Sequence, residues 1–294
     1  MNLEVLTHWT WEPLVVTPLA IMAVGLRWAV VQIRGGSHPG YVATRRIVFL
    51  AASLIFAFVA LESPVGFYAD RYFSVHMIQH LVLTLIVAPL FVLGAPITLA
   101  LQVAIPRVRR DVLLPVLHSR PVRVLAHPIV SWGLFALVLP LSHIPAFYEL
   151  TLRNDAWHAF EHLVLVVAAT LFWWPVVSLD PLPRRLAHPA RVLYLFLIMP
   201  VMTFTGLAIY NATQVWYPHY AALSDGYRSA LSDQNLAGAL MWEAGMFLIV
   251  PALGAVLIDW MNHDEKETAR EDARRARGIT TDLGVSALNG KAGS

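Results

Sequence analysis

Apolar residues along this chain gather in seven long runs, at roughly 13–33, 46–66, 74–95, 126–144, 157–178, 190–212 and 236–260, with polar, Pro- and Gly-bearing segments between them. Each run reaches or approaches the ~20 residues that an α-helix needs to cross a bilayer. The pattern predicts an all-α integral membrane protein: a seven-transmembrane-helix bundle over residues 1–261, followed by a charged tail over 262–294. Pro18, Pro89, Pro140, Pro175, Pro200 and Pro251 fall within or at the ends of runs, where membrane helices accommodate them as kinks. Ile97–Ile105 is too short to span and is expected to lie in the interface. The tail is expected to be solvated and largely disordered, with Glu271 and Arg275 spaced to pair in a short helix. Asp233 reads as the N-cap of the last span and Gly238 as a point of close helix approach.

Composition agrees with the pattern. Hydrophobic residues make up 57% of the chain and charged residues 14%, against about 25% charged in a soluble domain. Of the 21 Lys and Arg, 18 fall in alternate loops and the tail, leaving Arg71, Arg153 and Arg228 opposite. By the positive-inside rule the N-terminus is expected outside and the C-terminus in the cytoplasm. The first run lacks the flanks of a cleaved signal and is expected to remain as an anchor. No basic patch interleaved with aromatics points to nucleic acid. Cysteine is absent, which excludes disulfides, thiolate metal sites and thiol nucleophiles.

The chemistry-bearing signal is a repeated spacing. His76 and His80 stand four residues apart where the third run begins, and His158 and His162 repeat the spacing at the start of the fifth. Residues i and i+4 share one face of a helix, so two imidazoles can grip one metal ion from the same side. His143, at the end of the fourth run, is expected at the same level. Gln79, Glu161 and Glu62 lie at similar depth, where polar groups usually face the bundle interior. Glu161 or Glu62 is expected to fix a ring tautomer from behind. Met77 and Met241 add soft donors, with Met199, Met202 and Met246 farther away. A His/Met set without Cys suits copper, Cu(I) in particular. The bland alternatives are histidines bonded to lipid headgroups or to each other, and methionines that merely fill the core. Trp9, Trp11, Tyr68, Tyr72, Tyr148, Trp157, Trp216 and Tyr217 read as an outer interfacial belt without chemistry. Phe172-Trp173-Trp174-Pro175 reads as packing or an inner belt.

Several of these stretches occur together in a known family. His76-Met77-Ile78-Gln79-His80-Leu81, Pro89-Leu90 and Leu93-Gly94-Ala95-Pro96 resemble the CtaG-type cytochrome c oxidase assembly proteins. So do His143-Ile144-Pro145 with Tyr148, Glu161-His162 leading to Phe172-Trp173-Trp174-Pro175, and Asp233-Gln234 with Ala237-Gly238 and Met241-Trp242. The resemblance covers roughly residues 5–260. It implies a multi-pass protein of the bacterial inner membrane that helps supply copper to a haem-copper oxidase, and an assembly factor rather than an enzyme. Cytochrome c oxidase subunits and membrane lipids are then the expected partners, with a homo-oligomer left open. Two other readings of the histidines stay open: a haem-binding electron-transfer protein with His axial ligands, and a copper transporter with Met199, Met202 and Met246 along its path. A di-iron hydroxylase is disfavoured, because the chain has no His-His pair.

Overall fold

A computed structural model describes residues 8–35, 44–177, 179–180, 186–223 and 227–289, with backbone alone for Tyr227, Ala244 and 276–289. Every regular element among them is helical. The long helices are α1 (Pro13–Gly35) and α2 (Thr44–Glu62), followed by the short α3 (Pro64–Ala69). The next apolar stretch is built from α4 (Phe73–Val82), a π-helical turn (Leu83–Val87), α5 (Ala88–Leu93) and α6 (Pro96–Val103). Three small α-helices follow, α7 (Pro106–Val108), α8 (Leu114–Leu117) and α9 (Arg120–Leu125), with a second π-helical turn (Arg109–Leu113) between α7 and α8. Then come α10 (Pro128–Ser142), α11 (Pro145–Thr151), α12 (Asp155–Val177), α13 (His188–Tyr210), α14 (Pro218–Leu223) and α15 (Tyr227–Asn289).

Six stretches are long and apolar enough to cross a membrane, and a seventh exists if α10 and α11, bent by 80° at their junction, are one broken span. α10 has 15 residues, about 22 Å of helix against a hydrocarbon core of ~30 Å. The fourth apolar run therefore does not make a straight spanning helix. Ile97–Ile105, expected apart from the third span, is joined to it through Ala95, which is left-handed at φ 51°. Asp180 caps the joint, accepting from Thr98 N at 2.7 Å and Thr98 Oγ1 at 2.6 Å. The last helix continues through the charged region, and Arg275 meets Glu271 at 3.9 Å.

The π turn follows from Pro89. Ala88 N donates to Leu83 O in the i→i−5 pattern, in which Thr84 O would take its bond from residue 89. Proline has no N–H to give. Trp173 Nε1 on α12 supplies the missing donor at 2.9 Å, and Ser53 Oγ on α2 bonds Val87 O at 2.9 Å. Trp173 is thus more than the packing residue expected. It ties α12 to the helix bearing the first histidine pair.

The main core joins α4, α10, α12, α13 and α15 around Phe73, Phe135, Phe172, Leu195, Ile198 and Met241. The α13–α15 seam is set by Gly206 and Gly238. A Cβ on Gly206 would lie 2.8 Å from Gly238 O, and one on Gly238 would overlap Tyr210 N. Close approach at Gly238 is as the sequence suggests. Asp233 departs from expectation: α15 already begins at Tyr227, so Asp233 is interior to that helix. Its carboxylate instead accepts from Ser74 N (3.3 Å) and Ser74 Oγ, at the start of α4.

Candidate metal centre

The two His-x3-His turns meet. His76 and His158 stack with ring centroids 5.3 Å apart, and His80 lies edge-on to His162 at 5.4 Å. Equal-level pairing along both helices means that α4 and α12 run parallel here, with their N-terminal turns at the same end of the bundle. Cross-pairing is also close, since His76 stacks on His162 at 5.5 Å. Within α4, His76 Nε2 and His80 Nε2 are 2.8 Å apart. His76, His80, His143 and His162 are buried, while His158, on the first turn of α12, is partly exposed.

His143 joins the cluster through the α10–α11 break. It ends α10 as its C-cap, its ring lies 5.6 Å from that of His80, and its Nδ1 bonds Leu139 O at 2.7 Å. A carbonyl can only accept, so Nδ1 carries the proton and Nε2 presents a lone pair. That is the orienting arrangement expected behind a metal-binding imidazole.

Each of the five imidazoles has a buried nitrogen with no hydrogen-bond partner: Nδ1 of His76 and His80, and Nε2 of His143, His158 and His162. Both carboxylate oxygens of Glu161 share that state. Buried polar atoms are nearly always satisfied, so this concentration fits an ion as partner for Nε2 of His143, His158 and His162 and for Glu161, while the open Nδ1 of His76 and His80 can hold a ring proton if their Nε2 atoms bind it. Among the described residues, two groups of three place their ligand atoms within 4.8 Å of one another: His76, His158 and His162, and His76, His80 and Glu161. Glu161 approaches His80 Nε2 at 3.9 Å, near enough to act as a ligand as well as an acceptor.

The other named residues separate by position. Gln79 donates to Ala60 O at 2.8 Å and so clamps α4 to α2. Glu62 accepts from Glu12 N at 3.1 Å and secures the chain entering α1. Met77 and Met241 are buried in the main apolar core. Met202 packs on Gly245, and Met246 is 41% exposed, so neither joins the histidines. At the first turn of α13, His188 and Arg191 both reach Asp259 at 3.2 Å, a link between α13 and α15.

The aromatic belt holds only in part. Trp11 is 67% exposed, but Tyr148 and Tyr217 are buried. Tyr148 stands edge-on to His76 at 5.2 Å, and its hydroxyl meets that of Tyr220 at 2.8 Å. Tyr217 donates to His143 O at 2.8 Å. Burial, then the charges of Glu161 and Glu149, push its phenol well above its usual range, so it stays a donor. Tyr220 escaped the sequence reading. Its one signal is its place in a Tyr217-x2-Tyr220 pair around Pro218. Beside His158 lies a group of acids that includes Asp70 and Asp155. Burial, reinforced by Asp70, Glu62 and Asp155, pushes the nearby Glu12 carboxyl up to about 7.

A family model described as cytochrome c oxidase caa3 assembly factor (Caa3_CtaG) matches residues 24–263, a stretch that includes every residue of this cluster. The chain belongs to this family. The CtaG resemblance of the histidine, Phe172–Pro175 and Asp233–Trp242 stretches is therefore borne out. An uncharacterized protein of Mycobacterium bovis and one of Mycobacterium tuberculosis are each 31% identical over 279 residues, covering 92% of this chain and 42% of theirs. An uncharacterized protein of Mycobacterium leprae is 26% identical over 291 residues, covering 96% of this chain and 44% of its own. The chain thus spans less than half the length of these relatives. No solved structure matches it.

Proposed function

We propose that this family member binds copper at the histidine cluster and supplies it to a haem-copper oxidase during assembly, from the extracytoplasmic side of the bacterial inner membrane. Copper is cargo here, bound by neutral imidazoles and released by ligand exchange. The observation that carries the reading is the set of five histidines brought together from α4, α12 and the α10–α11 break, each with an unpartnered buried nitrogen. Imidazole alone suits several metals. The oxidase-assembly family favours copper among them.

The donor arrangement argues against the haem alternative. The rings pack on one another at 4.3–5.6 Å, whereas axial ligands flank a flat macrocycle. A transport path through the methionines finds no support, because Met246 faces outward and Met202 fills the groove at Gly245.

The test is the metal content of purified, copper-loaded protein against a His76→Ala/His80→Ala variant. About one copper per chain, lost in the variant, is expected for a centre built on these ligands. Unchanged copper in the variant would sink the site assignment, and a Soret band without copper would favour haem.

A further inference from the structure

The ligand atoms within reach of one another form two overlapping groups. Donors to a single ion lie within about twice the metal–ligand bond of ~2 Å from each other. His76, His158 and His162 satisfy this nearly, as do His76, His80 and Glu161, and the two groups share only His76. They also differ in access. The first includes the partly exposed His158, while every member of the second is buried.

Resting on the copper reading above, we propose that the centre is two overlapping stations pivoting on His76: an outer one with His158 and His162, and an inner one with His80 and Glu161. A Cu(I) ion enters at the outer station. It moves inward when its bonds to His158 and His162 break and bonds to His80 Nε2 and a Glu161 oxygen form, with no change of oxidation state. His76 stays bound throughout, so the ion is never without a protein ligand.

The proton balance is local. In the metal-free pair, one of the two Nε2 atoms 2.8 Å apart carries the hydrogen of their shared bond. When copper takes both Nε2 lone pairs, that proton moves to the Nδ1 of the same ring, which has no other partner. The inner station also has its own border. Glu161 lines a cleft of about 350 Å³ between α10–α11 and α12, walled by Val138, Leu141, Phe147, Phe160 and Val164. The outer station borders the acids around Glu12 and Asp70. The two stations therefore face different sides of the cluster, and a water-soluble chelator meets the outer one first.

The experiment uses full-length protein in detergent, loaded with Cu(I), and follows copper extraction by a water-soluble Cu(I) chelator. Wild type is compared with His158→Asn, Glu161→Gln and His76→Asn, and with His162→Asn and His80→Asn as second variants of each station. Only monodisperse, thermally cooperative material is used. Two stations predict that the His158 and His162 variants still hold copper but surrender it more slowly than wild type. The Glu161 and His80 variants should hold it and surrender it faster, and His76→Asn should retain little. A single site predicts the same direction for all five variants, and that result would overturn the proposal while leaving copper binding intact. Wild type that binds no Cu(I) would instead remove the functional reading beneath it.

Discussion

Asp233, in the first turns of the last membrane helix, accepts both the backbone N–H and the hydroxyl of Ser74, two residues before His76. The helix that carries the first histidine pair is thus capped from a different part of the chain, 159 residues away. A carboxylate at a helix start satisfies an orphan donor and complements the helix dipole. Asp233→Ala should cost about 0.5–2 kcal/mol, as cap losses do, and should weaken copper retention because the turn bearing His76 frays. Asp233→Asn keeps an acceptor oxygen and should recover much of both. Thermal unfolding in detergent, with and without copper, checks this. Equal effects of the two substitutions would refute a capping role.

Gly238 sets the distance between α13 and α15. A Val there meets Gly206 O, 2.6 Å from the position of its Cβ, as well as the backbone at Tyr210. Backbone cannot rotate away, so the seam must open, at a cost of at least about 1–3 kcal/mol. A Cβ on Gly133, by contrast, would meet nothing within 4 Å, and Gly133→Ala should be neutral or slightly stabilising. Melting curves should therefore show a lowered midpoint for Gly238→Val and no loss for Gly133→Ala; an unchanged midpoint for Gly238→Val would contradict the close seam.

Tyr148 separates ring from hydroxyl. Tyr148→Phe removes the bond to Tyr220, while Tyr220 keeps its bond to Ala69 O at 3.1 Å. The expected loss is about 1 kcal/mol, with copper stoichiometry unchanged. Tyr148→Ala removes the ring against His76 and should cost about 3–5 kcal/mol and loosen copper. Copper loss in the Phe variant would point to the hydroxyl as a participant.

Glu12 gives a pH signature. Its folded value of about 7 lies above the ordinary 4.5, so the folded state binds the proton more tightly than the unfolded state. Its contribution is full below about 4.5 and is lost as pH rises through about 7. Thermal midpoints of wild type should fall between about pH 5 and about pH 8 relative to Glu12→Gln, which carries no titrating group. Parallel pH profiles for the two proteins would contradict the burial of Glu12 beside Glu62.

Much of this molecule was legible in one dimension. The apolar runs mark most of the spanning helices because burying backbone in hydrocarbon demands them. The His-x3-His pairs are visible because helical periodicity puts i and i+4 on one face. Their common depth is legible too, and His143 is named for the same reason, but depth leaves open whether the two pairs form one site or two. The assigned belt failed at Tyr148 and Tyr217, since an aromatic at a helix end has the same pattern whether it faces lipid or the bundle. Asp233 was misplaced because a carboxylate before an apolar run looks like that run's own cap, and its partner Ser74 is far away in sequence.

Composition and local period suffice for an all-helical membrane chain without thiol chemistry, with two imidazole pairs at helix starts and a glycine seam in the last helix. Those signals act within a few residues, so they can be read without knowing what packs where. The packed fold was needed to show that α10 breaks at His143, that Trp173 completes the turn imposed by Pro89, and that Glu161 faces His80 from the neighbouring helix. It was needed, too, to show that His76 belongs to two ligand groups at once. Each of these depends on which faces of separate helices turn toward one another, and rotation of a helix about its axis leaves no trace in its own pattern until its neighbours are in place.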